Sequence, residues 1–281
     1  PYAFKTTDFG KTWTNIISDD VVGFARNIQE DYENPDLLFL GTEFGLYITM
    51  DGGKNWKKFT NNMPAVAVHF IELHKRTNDL VMGTHGRGVI ILDDISSLRS
   101  INNEVLGKTL HFFETPDTEI SETSSFSGNF GTETQFVGSN KTKDVQIKYY
   151  LNKRHTFGKM TMVIEDMEGN QIAELGPGKS KGINVVNWNY TRKVPKVAKG
   201  KTFSFGGFTA PQVPAGTYKA VITKGKETFE HTFNLVYDKN SPLTEKDREL
   251  KEATTMKLYD MTQELAYLVY ELDEIMENAN T

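Results

Sequence analysis

The first hundred residues contain two similar blocks of apolar and turn residues. Residues 37–48 and 80–91 each consist of an apolar run, a turn containing Gly and Thr, and a second apolar run. Short apolar runs bounded by turn residues predict buried strands, so each block predicts a hairpin. Residues 23–29 and 66–73 precede the two blocks and each predict one more strand.

A polar motif repeats with the same spacing as these blocks. The octet TTDFGKTW at residues 6–13 recurs as TMDGGKNW at residues 49–56, 43 residues later, and Asp94 ends a third, degenerate copy after a further 43 residues. A period of about 40–50 residues built from short strands is typical of β-propeller blades. Because blades bury their faces only against neighbouring blades, the repeat predicts part of a larger ring.

The residue types of the octet predict a turn with a structural role and not a catalytic site. Its aspartate can accept hydrogen bonds from backbone N–H groups of its own turn, and its glycine allows a positive φ. Its tryptophan is predicted to fold back as a hydrophobic plug between blades. These predicted Asp-box residues are Asp8, Gly10 and Trp13 in the first copy and Asp51, Gly53 and Trp56 in the second.

The octets resemble the Asp-box, or BNR repeat, of sialidase-like and sortilin-like β-propellers, with Asn55 in place of the usual Thr or Ser. The run 83–88 leading into 92–94 is similar to the closing blade of large bacterial proteins of the "BNR glycosyl hydrolase" type. This resemblance implies that residues 1–100 are the last two to three blades of a propeller. It also implies that the missing N-terminal blades come from the same parent protein, either within one polypeptide or as a separate chain.

A second β region follows a predicted connecting segment and linker at 101–140. Residues 145–151 alternate apolar and polar side chains, and further strand-like segments recur up to residue 237, which predicts a β-sandwich at 141–240. Segments 166–170, 182–188 and 213–218 resemble the Ig-like or fibronectin-like module of the flagellar hook-cap type. That resemblance implies a spacer, docking or assembly module, in which Trp188 and Tyr190 pack in the core or at a domain interface.

The last part of the chain, 241–281, predicts one long helix. Thr244 and Asp247 form a capping-box-like start, and no Gly or Pro interrupts residues 245–277. Six apolar residues follow alternating spacings of three and four, as in a coiled-coil stripe. They are Leu258, Met261, Leu265, Leu268, Leu272 and Ile275. The sequence leaves open whether the sandwich, the propeller rim or a partner helix covers this stripe.

Composition narrows the classes of function. The formal net charge of -5 over 281 residues gives no electrostatic footprint for nucleic acid, and the absence of cysteine excludes disulfides and thiolate chemistry. The six histidines form no metal-ligand pattern, so we predict no metal and no cofactor, although a calcium ion on the Asp-rich turn 18–20 stays open. No segment has the length of a membrane span. The family resemblance implies an extracellular, periplasmic or cell-surface protein.

Three residues are candidates for ligand binding. Glu43 lies in the turn of the first block, and His85 and Arg87 lie in the turn of the second. In propellers such turns belong to the face that carries ligand sites, where these side chains would hold a carboxylate or a sugar. The alternative is a tight turn in which Arg87 caps carbonyl groups or pairs with a local acid.

The sequence therefore predicts a mainly β chain and a non-catalytic function, which is completion of the propeller together with protein or glycan binding. One alternative is the C-terminal third of an exo-acting, sialidase-like glycoside hydrolase, so enzymatic activity stays open. A sialidase needs three arginines around the substrate carboxylate and a Tyr–Glu pair, and of these only Arg87 has a plausible location. A second alternative is a peptide-binding receptor of the sortilin-like type.

Overall fold

The protein is mainly β with several sheets and a C-terminal helix. The computed structural model describes residues 2–122, 142–198 and 210–279. The chain divides into two compact units, with the boundary between Lys108 and Thr109. Each unit has its own sheets and its own hydrophobic core.

Among the described residues of the first unit, nine antiparallel strands form the sheets. A two-stranded sheet, a four-stranded sheet of order β3-β4-β5-β6 and a three-stranded sheet of order β7-β8-β9 follow one another along the chain. The strands are β1 (Phe4–Lys5), β2 (Thr14–Asn15), β3 (Ala25–Glu30), β4 (Leu38–Thr42), β5 (Gly45–Thr49), β6 (Lys57–Lys58), β7 (Val68–His74), β8 (Asp79–Thr84) and β9 (Val89–Leu92).

The 43-residue repeat is visible in the strand register. Phe4 pairs with Asn15 in the first hairpin, and Tyr47 pairs with Lys58 in the hairpin of β5 and β6. Each residue of the first pair lies 43 positions before its equivalent in the second pair. The two-stranded sheet is therefore equivalent to the outer hairpin of the four-stranded sheet.

The four-stranded sheet is covered on both of its faces. Phe39, Leu46 and Ile48 pack with the apolar side chains of β7 and β8, whereas Leu40 and Tyr47 pack with Trp56 on the opposite face. Every residue of β4 and β5 is buried. Double coverage explains why these strands read as continuous apolar runs in the sequence.

The two larger sheets approach each other closely at Gly41. A Cβ atom at this position would lie 2.6 Å from the carbonyl oxygen of Val68, so no larger residue fits there. Two short helices, α1 (Ser96–Arg99) and α2 (Asn103–Gly107), end the unit. Ile95, immediately before α1, is buried in the same core as β7 and β8.

The described residues of the second unit form two sheets around one core. A three-stranded sheet has the order β10-β12-β15, and a five-stranded sheet has the order β11-β17-β16-β13-β14. The pair of β11 and β17 is parallel, and the other pairs between these described strands are antiparallel. Their bounds are β10 (Leu110–Phe112), β11 (Thr118–Ile120), β12 (Val145–Leu151), β13 (Met160–Glu165), β14 (Gln171–Leu175), β15 (Gly182–Trp188), β16 (Gly216–Lys224) and β17 (Glu227–Tyr237).

The predicted inner face of β12 is confirmed. Its alternate residues from Val145 to Leu151 lie in the core that the two sheets share. Trp188 and Tyr190 also lie in this core, at 2% and 5% exposure, so packing is their role within the unit. The side chain of Trp188 contacts Tyr218 and Phe233 edge-on, with ring centroids 5.8 Å apart in both cases.

The predicted connecting segment 101–140 includes two strands of the second unit. Strand β10 pairs with β12, and β11 pairs with β17. Three-residue strands of this kind leave a weak periodic signal, because their pairing depends on distant partners. Residues 123–140 of this predicted segment lie outside the described residues.

The C-terminal helix α3 spans Glu245–Ala279, close to the predicted bounds. The capping box is present, because the Asp247 carboxylate accepts hydrogen bonds from Thr244 N at 2.9 Å and Thr244 Oγ1 at 2.6 Å. The backbone N–H of Asp247 donates in return to Thr244 Oγ1 at 3.3 Å. None of the described residues of α3 is fully buried.

Candidate functional site

The two octets fold into the same hydrogen-bonded turn. In the first, Asp8 accepts hydrogen bonds from Thr12 N at 2.9 Å and Thr12 Oγ1 at 2.7 Å, and Thr6 Oγ1 accepts one from Gly10 N at 2.8 Å. These bonds, from the Thr12 backbone first, lower the pKa of Asp8 to about 2. Gly10 has a φ of +86°, as its place in the turn requires.

The second octet repeats these contacts with Asn in place of Thr. Asp51 accepts from Asn55 N at 2.9 Å and from Asn55 Nδ2 at 2.7 Å, and Thr49 Oγ1 accepts from Gly53 N at 3.1 Å. Burial opposes ionisation of Asp51, but the hydrogen bonds from Asn55 outweigh it and lower the pKa of the carboxyl group. The amide of Asn55 therefore replaces the threonine hydroxyl as the second donor.

The tryptophans of the two octets have different environments. Trp56 is fully buried, and its indole Nε1 donates a hydrogen bond to the carbonyl oxygen of Ile16. Trp13 is 60% exposed, and its Nε1 donates to Gly10 in its own turn at 3.2 Å. Trp56 is therefore buried, as a plug would be, whereas the indole of Trp13 is mostly exposed in the part of the chain that the structure describes.

The candidate residues Glu43 and His85 occupy equivalent places in two hairpin turns. Each follows a threonine whose hydroxyl group closes the turn. Thr42 Oγ1 donates to the Gly45 carbonyl at 3.0 Å, and Thr84 Oγ1 donates to the Gly88 carbonyl at 2.7 Å.

Each of the two residues contacts a side chain near the start of the neighbouring strand. Glu43 forms an ion pair with Arg26 at 2.9 Å and accepts a hydrogen bond from Phe24 N at 3.4 Å. His85 stacks on His69, with ring centroids 5.6 Å apart and an interplanar angle of 17°. Since His69 lies 43 residues after Arg26, an ion pair in one repeat is replaced by a histidine stack in the next.

The three predicted ligand residues are thus distributed over two turns. The Glu43 carboxylate is engaged by Arg26, whereas Arg87 is exposed two residues beyond His85 in the same turn. The repeat spacing relates Arg26 to His69, but neither residue was predicted from the sequence, because their partners are known only from the strand pairing.

A buried ion pair connects α1 to the turn after β3. Arg99 binds the Asp31 carboxylate with two nitrogens, Nε at 2.9 Å and Nη2 at 2.9 Å, and its guanidinium lies 4.6 Å from the centre of the Tyr32 ring. Burial raises the pKa of Asp31, but the hydrogen bonds from Arg99 and from backbone N–H groups outweigh it, so the pKa is lowered. We assign these residues to structure, since the Asp31 side chain is fully buried.

Two ion pairs between described residues of the second unit attach α3. Arg248 binds Glu122 through Nε at 2.7 Å and Nη2 at 3.0 Å, and Arg192 binds Glu252 at 2.9 Å. The hydrogen bonds from Arg248 lower the pKa of Glu122 to about 2. A groove of about 640 Å³ lies further along the helix, where Lys196 and Val197 face Ala266 and Val269.

The described part of the chain contains neither a cluster of metal ligands nor a helix that could span a membrane. Within the described residues, no cluster of three or more His, Cys, Asp or Glu side chains could hold a metal ion. Among the same residues, no helix has both the length and the apolar character that crossing a bilayer requires.

Comparisons with known proteins give little similarity. No protein-family model matches the chain, and no curated protein matches it. A solved structure of PorZ, an essential bacterial surface component of the type-IX secretion system of Porphyromonas gingivalis, is similar to 74% of this chain at 16% identity. The TM-score is 0.23, and the chain spans 22% of that PorZ chain. A similarity at this level carries no argument about function, which has to come from the contacts within the chain itself.

Proposed function

We propose that the chain is a non-catalytic C-terminal part of a larger secreted, periplasmic or cell-surface β-propeller protein. In this proposal the sheets of the first unit are the last blades of the ring. The second unit is an Ig-like sandwich that, with α3, serves for docking. Three observations support this proposal, which rests mainly on the first.

Equivalent apolar residues are buried inside the repeat and exposed at both of its ends. Leu46 and Ile48 are buried between the two larger sheets, at 0% and 6% exposure. Val89 and Ile91, which lie 43 residues later in β9, are 65% and 55% exposed. The face of β5 that carries Leu46 and Ile48 is covered by the next sheet, whereas the equivalent face of β9 is open.

The other end of the repeat shows the same relationship. Trp56 is buried against Ile16 of the preceding repeat, whereas the equivalent Trp13 is 60% exposed. Several large apolar side chains exposed together on one face indicate an interaction surface. Further blades on both faces would bury Trp13 on one side and Val89, Ile91 and Phe70 on the other.

The contacts of Glu43 also favour a non-catalytic function. A glycosidase needs a carboxylate pair about 5–9 Å apart, with one member free to act as an acid or a nucleophile. The Glu43 carboxylate is held by Arg26 and by a backbone N–H group. We propose that the turns with Glu43, His85 and Arg87 contribute to a protein or glycan docking face instead.

Acrylamide quenching of Trp13 fluorescence tests ring completion. This chain is compared with a polypeptide lengthened by the residues that its gene encodes before position 1, and the Trp13→Phe variant of each identifies the Trp13 signal. We expect strong quenching of Trp13 here and protection in the longer polypeptide. Equal quenching in both would contradict the proposal.

A separate activity screen tests the glycosidase alternative. The longer polypeptide is assayed with aryl glycosides and sialosides, alongside its Glu43→Gln and Arg87→Ala variants. The proposal expects no turnover and weaker glycan or protein binding in the variants. Turnover that depends on Glu43 would establish the enzyme instead.

A further inference from the structure

The apolar stripe of α3 is left exposed by the described residues of its own unit. The six stripe residues from Leu258 to Ile275 are between 53% and 62% exposed. A different set of side chains is partly buried against the unit, with the same alternating spacing. That set is Glu252, Thr255, Tyr259, Thr262, Ala266 and Val269, and Met256 and Gln263 beside it are also partly buried.

The geometry of an α-helix separates the two sets. Leu258, Met261, Leu265 and Leu268 each immediately precede a member of the partly buried set, so they lie about 100° away around the helix axis. Arg192 and Lys196 contact the inner side of the helix, at Glu252 and at the ring of Tyr267. The described part of the unit therefore uses the less apolar side of α3 and leaves the most apolar side exposed.

The spacing of the stripe residues indicates that a second helix packs on them. Leu258, Leu265 and Leu272 take the first core position of three successive heptads, and Met261, Leu268 and Ile275 take the second. Spacings of three and four place such residues along one seam, where they insert between the side chains of a second helix. An extended strand or a flat surface would not match this seam over three heptads.

The charge of the helix selects the chemistry of that partner. Residues 258–281 contain six acidic residues and no Lys or Arg. Glu264 and Glu271 flank the seam on one side, and Val269 and Met276 flank it on the other. In an antiparallel pair of two copies Glu264 would face Glu271 of the other copy, and in a parallel pair two acidic helices would lie side by side without compensating cations.

We propose that this stripe docks an amphipathic helix of a partner protein, with apolar heptad positions and with Lys or Arg at its flanking positions. Basic side chains opposite Glu264 and Glu271 would supply the missing charge, and apolar side chains would extend over Met276, which is 61% exposed. Charge complementarity of this type sets the choice of partner and its orientation in helix pairs.

Synthetic three-heptad peptides provide the test. The first peptide has Leu and Ile at its core positions and Lys at its flanking positions. The second differs only in having Glu at the flanking positions, and the third has the composition of the first in scrambled order. Binding of each labelled peptide to the full chain is measured by fluorescence anisotropy at physiological salt. We expect the first peptide to bind at least tenfold more tightly than the other two.

Variants of the chain locate the binding surface. Leu265→Asp is expected to weaken binding of the first peptide at least tenfold. The double variant Glu264→Gln, Glu271→Gln is expected to make the binding of that peptide less dependent on salt concentration. Tyr270 lies on the side of the helix opposite the stripe, so Tyr270→Asp is the control that is expected to leave peptide binding unchanged. Far-UV circular dichroism verifies that each variant retains α3, since all four residues are exposed.

Several results would overturn the proposal. These are failure of the first peptide to bind, equal binding of all three peptides, and binding that Leu265→Asp does not weaken. Sedimentation velocity tests the second copy as occupant. A concentration-dependent dimer that Leu265→Asp abolishes would show that α3 pairs with itself.

Discussion

Trp56 donates a hydrogen bond of 2.6 Å from its indole Nε1 to the carbonyl oxygen of Ile16, forty residues earlier in the chain. This bond joins one repeat to the next, since Ile16 follows the first octet and Trp56 ends the second. Gly53 of the same octet lies against Ile16 as well. The octet therefore both closes its own turn and fixes the position of the neighbouring repeat.

Substitution of the two tryptophans should have very different effects. We expect Trp56→Ala to lower the free energy of unfolding of the first unit by about 3–5 kcal/mol, because it removes a large buried side chain. Trp13→Ala should change it by less than about 1 kcal/mol, because that indole is mostly exposed. Urea unfolding followed by circular dichroism measures both, and similar losses would contradict the assigned difference in burial.

The two octet glycines provide a matched pair. Gly10 and Gly53 both have positive φ, so an alanine at either position costs about 1–2 kcal/mol. At Gly53 the new Cβ would also lie 2.7 Å from Ile16 Cβ and 2.8 Å from its carbonyl oxygen, whereas at Gly10 the nearest atom is 3.8 Å away. We expect Gly53→Ala to be at least about 1 kcal/mol more destabilising than Gly10→Ala. Thermal unfolding of the two variants tests this order.

Breaking the buried ion pair should destabilise the first unit. Arg99→Ala leaves the carboxylate of Asp31, whose side chain is 0% exposed, without its charged partner, which typically costs about 3–5 kcal/mol. The control is Lys5→Ala, which removes an ion pair with Glu30 in which the two side chains are 29% and 46% exposed. Pairs of that kind contribute about 0–1 kcal/mol. Equal losses in urea unfolding would show that Arg99 does not compensate a buried charge.

Attachment of α3 should weaken at low pH. The hydrogen bonds from Arg248 lower the pKa of Glu122 from its ordinary 4.5 to about 2. Between these values the unfolded state binds more protons, so the contribution of Glu122 to stability is present above pH 4.5 and is lost as the pH falls towards 2. Unfolding of the second unit, followed by Trp188 fluorescence at a series of pH values, measures this loss.

Glu122→Gln should reduce that part of the pH dependence. The matched control is the same substitution at an exposed position of β14, Glu174→Gln. A wild-type profile that is flat between pH 4.5 and pH 2, or one that Glu122→Gln does not alter, would contradict the assignment.

Local sequence patterns predicted the elements that depend on local interactions. The strands of the repeat, the bounds of α3 and its capping box follow from period, turn residues and caps, which act over a few positions. The inner face of β12 followed from simple alternation. Strands β10 and β11 were not predicted, because each has only three residues and is stabilised by pairing with β12 and β17.

The candidate site was predicted only in part. The turns that contain Glu43, His85 and Arg87 followed from the repeat, but their partners Arg26 and His69 lie on neighbouring strands. A strand register brings together residues far apart in sequence, and no local signal encodes which of them meet. The same reason explains why the pair of Arg99 and Asp31, which are 68 residues apart, was not predicted.

Periodicity, turn residues and cap chemistry were enough to establish that this chain is mainly β, that its first part repeats every 43 residues and that its last part is one long helix. They did not establish which of two equivalent side chains is buried. The packing of the sheets buries Trp56 and leaves Trp13 exposed, and it buries Ile48 and leaves Ile91 exposed. Similar local sequences form the same strands and turns whether or not another sheet covers them. The burial of a side chain therefore depends on which sheet packs against it.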